Sequence, residues 1–172
     1  MTVGNLEFIN SFTSGSVTSF SIDNIFSDDY DVYYITGNTG SSNFTNDGIA
    51  LRLLDNTGTI ITATEYDKAR LLMISNAAFQ EVRATASDYL YSGIMYMKGD
   101  SSGGGGFGLY IYNPYDSSSY TFALSQNTFQ TTAGLGSNKF IGVHKVAETI
   151  RGINLSSTET MNAVEVSVYG VK

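Results

Sequence analysis

Cysteine and tryptophan are absent, proline and histidine occur once each, and charge is sparse, with 15% of the 172 residues being Asp, Glu, Lys or Arg. Without cysteine there is no disulfide, no thiol chemistry and no thiolate metal site, so packing and hydrogen bonds hold the fold. The single histidine, His144, lies in the strand-like segment FIGVHKV. A histidine cluster for a metal is ruled out by that count, and a serine-hydrolase triad has neither a nucleophile elbow nor a choice of base. Lys and Arg total 9 against 16 Asp and Glu, a net charge of −7. An acidic chain without a basic run repels phosphate backbones, so nucleic acid is not an expected partner. No stretch approaches the roughly 20 apolar residues of a membrane-spanning helix, and the N-terminus does not read as a secretory signal. A soluble protein without membrane insertion, made in a cytoplasm, is expected.

What is present is apolar and turn-forming: 42% hydrophobic residues, 18 Gly, 12 Tyr and 10 Phe. Period-2 alternation dominates. It marks strands in VTSFSI (17–22), YDVYYIT (30–36), GIALRLLD (48–55), ARLLMIS (69–75), SGIMYMKG (92–99), FGLYIYN (107–113), YTFALSQ (120–126), NKFIGVHK (138–145) and ETIRGINLS (148–156). In the last segment, AVEVSVYGVK, Val164, Val166 and Val168 share one face and form a core strand, while Glu165, Ser167 and Tyr169 share the other. The turn DNTG (55–58) followed by TIITATEY predicts a hairpin with 48–55. Residues 76–90, NAAFQEVRATASDYL, tolerate a helix, and a short helix or irregular crossing is expected there. Four consecutive glycines at 103–106 predict a mobile loop over 100–106 joining two strands. The pattern gives one all-β domain over 1–172, an antiparallel β-sandwich of roughly ten strands with little helix.

Few residues suggest chemistry. Asp28, Asp29 and Asp31 offer carboxylates to calcium, although the segment lacks the glycine and distal glutamate of an EF-hand loop. Asn43 and Asn154 sit in N-glycosylation patterns that lack a secretory context. The glycine run has no following Lys-Ser or Lys-Thr and leads into a strand, so it is no phosphate loop. No cofactor is indicated, and the chain is expected not to be an enzyme. Seven tyrosines gather between 89 and 120; Tyr110, Tyr112, Tyr115 and Tyr120 are the candidate contact surface, for sugar rings or a neighbouring subunit.

The motifs also fall in a recognisable order. Phe12-Thr13-Ser14-Gly15 precedes Tyr30-Asp31-Val32-Tyr33; then come Leu51-Arg52-Leu53, Ser92-Gly93-Ile94, Tyr112-Asn113-Pro114, Ile150-Arg151-Gly152-Ile153-Asn154-Leu155, and Val168-Tyr169-Gly170-Val171-Lys172. This succession resembles β-sandwich structural proteins of marine and freshwater bacteriophages, cyanophages especially. The glycine run and Val171, where that group carries leucine, are departures. The resemblance implies a jelly-roll-like virion protein of the tail-fibre or capsid-decoration type. It also implies a homotrimer that contacts other virion proteins, with no catalytic motif to carry over. The alternative function is a carbohydrate-binding module that reads a host-surface glycan at a fibre tip.

Overall fold

A computed structural model describes residues 5–39, 48–96, 105–131, 134–161 and 163–172; the side chains of 39, 92–96 and 131 are not described. Among the described residues the chain forms twelve strands and no helix. In chain order they are β1 (Leu6–Thr13), β2 (Val17–Ile22), β3 (Val32–Thr39), β4 (Gly48–Leu54), β5 (Tyr66–Ile74), β6 (Gln80–Ser87), β7 (Tyr91–Tyr96), β8 (Gly105–Tyr112), β9 (Thr121–Thr131), β10 (Gly134–His144), β11 (Gly152–Met161) and β12 (Val164–Val171). They build two antiparallel sheets: one of eight strands in the order β1-β12-β3-β8-β9-β10-β5-β6, and one of four in the order β2-β11-β4-β7. The fold is thus an all-β antiparallel sandwich of the jelly-roll kind.

Alternation explains which face goes inward. In β12, Val164, Val166 and Val168 are 0–1% exposed. Burying each such side chain is worth roughly 1.5–3 kcal/mol. Ile35 on β3, Leu109 and Ile111 on β8, Ala123 on β9 and Phe140 on β10 join them. From the smaller sheet, Ile49, Leu51 and Leu53 of β4 and Ile153 and Leu155 of β11 close the same core. Tyr91 stacks on Phe140, ring centroids 4.2 Å apart, at the β7 side of the interface.

Three local expectations change. Residues 80–87 form a strand, β6, not a helix, and pair with β5 from Tyr66↔Ser87 to Leu72↔Gln80. Helix propensity in this alanine-containing stretch is a weak bias, and the open edge of β5 offers backbone partners that override it. The 55–58 turn forms, with Gly58 at φ +83°; the Asp55 carboxylate accepts from Thr57 N (2.8 Å), Thr57 Oγ1 (2.7 Å) and Thr59 N (2.9 Å). The hairpin beyond it does not form: it shrinks to one bridge, Leu54↔Ile60, because the chain must then cross from the small sheet to the large one. The crossing is pinned by the buried Tyr66 hydroxyl, which accepts from Leu53 N–H and donates to the Ile61 carbonyl, both at 3.2 Å. Burial pushes the Tyr66 phenol upward from its ordinary pKa. Finally, Gly105 and Gly106 belong to β8, paired with Phe129 and Thr128 of β9, so they are not part of a loop. The rest of the expected 100–106 loop lies outside the described residues.

Candidate functional site

The outer face of the eight-stranded sheet is the candidate site. Registered pairs place one residue from every strand in a single row: Phe8, Tyr169, Tyr34, Tyr110, Leu124, Ile141, Ala69 and Arg83. Strands lie about 4.8 Å apart, so the row spans on the order of 30 Å. Its first half is aromatic. Phe8 meets Tyr169 edge-on at 5.7 Å, Tyr169 lies 6.3 Å from Tyr34, and Tyr34 lies 4.8 Å from Tyr110. One step toward the β3 N-terminus runs a second apolar row, Val171, Val32, Tyr112, Phe122 and Val143. The solvent sees much of this: Phe8 is 59% exposed, Ile141 56%, Phe122 44% and Tyr110 37%.

One step the other way the face turns polar, with Ser167, Thr36, Gly108, Gln126 and Lys139 in register. Beyond them come Glu165, Asn38, Gly106 and Thr128. Glycine at 108 leaves room for the tyrosine beside it: a Cβ there would stand 2.7 Å from the Tyr34 hydroxyl and displace that ring. The result is a glycine-floored recess of about 490 Å³ walled by Tyr34, Asn38, Gln126 and Glu165. A larger apolar recess of about 780 Å³ lies over Tyr112, Phe122, Leu124, Ile141 and Val143. Asp67 borders it, gripped by Lys145 Nζ at 2.8 Å and by Ala86 N–H at 3.0 Å. These donors hold the Asp67 carboxyl below its ordinary pKa, Lys145 foremost.

Tyr110 and Tyr112, named from sequence, lie on this face with rings stacked at 6.3 Å. Tyr115 and Tyr120 are exposed but lie outside the strands, in the β8–β9 connection. Tyr169 is placed on the outer side of its strand by alternation alone, whereas Tyr34, Phe122, Leu124 and Ile141 are not marked as contact residues by the sequence, because they come from three strands, β3, β9 and β10, spread over the chain. The alternation in YDVYYIT does place Val32 and Tyr34 on one face; what sequence lacks is the strand order that sets Tyr34 beside Tyr110.

Asp28, Asp29 and Asp31 are exposed, and Asp29 accepts a hydrogen bond from Ser27 Oγ at 2.9 Å. They do not converge into a ligand set. Among the described residues the group of His, Asp or Glu with ligand atoms within 4.8 Å of one another is Glu65, His144 and Glu148. His144 is fully buried at the end of β10. Its Nε2 lies 2.8 Å from Glu148 Oε1, and its ring packs 5.1 Å from Tyr66. That pairing ties the 145–149 connection to β10. Asn154 is buried and donates to Ser19 and Ser21 hydroxyls at 3.0 and 2.9 Å, so it is no accessible glycan acceptor. Asn43 lies outside the described residues.

No family model matches the chain, and no curated protein matches it in sequence. Among solved structures it is similar to the marine PL-14 alginate lyase of Aplysia kurodai, at TM-score 0.37 and 9% identity over 86% of this chain and 71% of that one. It is similar to the Y16S mutant of congerin II, at TM-score 0.32 and 14% identity over 86% and 98%. It is also similar to the CBM2 module of the evolved Dit of Lactobacillus casei BL23 phage J-1, at TM-score 0.26 and 13% identity over 89% and 68%. These likenesses are too distant to transfer any activity, and the fold assignment rests on the strand pairing itself.

Proposed function

We propose that the chain is a non-enzymatic carbohydrate-binding β-sandwich module whose ligand lies across the outer face of the eight-stranded sheet. The observation that carries this reading is the Tyr169–Tyr34–Tyr110 row bordered by Thr36, Asn38 and Gln126 over a glycine floor. A sugar ring has an apolar C–H face and a rim of hydroxyls. Its recognition therefore needs a flat apolar platform with amides, hydroxyls or carboxylates at the edge. Tyr34 sits at that boundary, and the face is long enough for several rings of one chain. Titration with host-surface polysaccharide tests this. The wild type binds, and the Tyr34→Ala/Tyr110→Ala double variant loses at least tenfold in affinity while remaining folded. No binding to any host glycan at concentrations on the order of millimolar overturns the reading.

The ordered motifs that resemble cyanophage structural proteins support placing this module on a phage particle, as a tail appendage or capsid decoration. There it meets other virion proteins and further copies of itself, with a homotrimer as the working assembly. Mass spectrometry of purified particles tests the location, and absence of the chain from them overturns it.

A further inference from the structure

We infer that the polysaccharide held on this face is anionic, with carboxylates that meet Lys139 and Arg83; the inference rests on the carbohydrate-binding reading above. The chain is acidic, and most of its described cations are engaged. Arg52 pairs with Asp88, Lys145 with Asp67, Arg151 with Asp23 and Lys172 with Glu7. Lys68 donates to Ser87 and lies 3.1 Å over the Tyr89 ring, and Arg70 also has a partner. Among the described residues, Lys139 and Arg83 alone keep a cationic side chain without an ion-pair or hydrogen-bond partner. Both are exposed, and both project from the outer face of the large sheet, where the sugar platform lies.

Their setting suits a chain of acidic sugars. Lys139 lines one recess with Tyr34, Tyr110 and Gln126 and the next with Ile141 and Arg83. It stands therefore between the tyrosine platform and the second cation. Arg83 sits two strands away and one alternation step along, a Cα separation on the order of 12 Å, which a few sugar rings span. Glu81 is the carboxylate in the shared recess; Asp67, in the neighbouring one, is already neutralised by Lys145, and Glu165 stands at the far polar end beside Asn38. The guanidinium fork of Arg83 matches a carboxylate in the plane, and the Lys139 ammonium acts as a point charge beside the rings.

Isothermal titration of the full chain with oligogalacturonate and with its methyl ester at matched length tests the inference, because esterification removes the charge and keeps the sugar. The acid form should bind about tenfold tighter, and the advantage should shrink as salt is raised. Lys139→Gln/Arg83→Gln should erase the difference, with an unchanged unfolding midpoint showing that the variant is intact; Lys139→Arg should retain it. Equal affinity for acid and ester, or an advantage that survives the double substitution, overturns the inference. If the ester still binds in a Tyr34-dependent way, the carbohydrate-binding reading stands without it. If neither form nor any neutral glycan binds, both fall.

Discussion

The two faces of the eight-stranded sheet are built from the same strands by the same alternation, yet they have opposite fates. On β12, Val166 is sealed against the smaller sheet, while Tyr169 on the other side lies half-exposed in a row of rings. On β8, Leu109 is fully buried and Tyr110 next to it faces solvent. The inner apolar residues are explained by what covers them. Among the described residues nothing covers the outer ones, and a contiguous exposed apolar surface calls for a partner. The face that the fold does not use is therefore the one assigned to function.

The largest test of this contrast is Val166→Asp. A carboxylate in the sealed interface has no partner, costs several kcal/mol and should prevent accumulation of folded protein, as read by soluble yield and urea unfolding. A normal unfolding curve would show that β12 does not face the core. Next comes a pair of glycines. At Gly37, on the inner side of β3, a Cβ would stand 2.5 Å from the Phe107 ring and 3.0 Å from the Glu165 carbonyl. Gly37→Ala should cost about 1–3 kcal/mol. At Gly106, on the outer side of β8, the nearest atom is the Gly37 carbonyl at 3.4 Å. Gly106→Ala should be neutral or stabilising by up to about 1 kcal/mol, since it lowers unfolded-chain entropy. Equal costs for the two would erase the distinction between the faces.

A smaller stability effect is expected at Tyr110→Ala, under about 1 kcal/mol in urea unfolding, with the larger loss falling on glycan affinity. The smallest belongs to Asp67. Its folded pKa is held below the unfolded value near 4, so its contribution is present above that pH and is lost as pH falls through the folded pKa. The unfolding midpoint of the wild type should decline between about pH 5 and 3 more steeply than that of Asp67→Asn. Parallel curves would show that the Lys145 contact adds no stability.

Alternation makes the strands and the two-faced character of β12 legible in the sequence, and turn chemistry locates Asp55–Gly58. Strand order is not legible there, because it depends on pairing between distant segments. That is why the Tyr34–Tyr110 contact, the burial of His144 and the brevity of the 55–60 hairpin emerge only in three dimensions. Several residues that carry the phage resemblance serve the fold. Ser14 Oγ accepts from Val164 N–H at 3.1 Å, Arg52 ties β4 to Asp88 and Ser156, and a Cβ on Gly152 would meet the Ile22 carbonyl at 2.2 Å. Asn113 at φ +54° closes the β8 end by donating its N–H to the Asp31 carbonyl at 2.7 Å. A motif succession made of such residues reports architecture more directly than ligand, whereas the platform uses side chains that the architecture leaves free to vary.

The places of the last two strands set the order in which the molecule is completed. β11 lies between β2 and β4, and β12 between β1 and β3. Four early strands thus each lack one neighbour until segments about a hundred residues or more further along the chain are made. While a ribosome is still making residues 150–171, the early segments hold unpaired edges and uncovered valine, leucine and isoleucine faces. Such long-range closure slows folding and lengthens the time in which edges meet wrong partners. The sandwich therefore cannot be complete before β12 has been made, and until then these edges stay open to wrong partners.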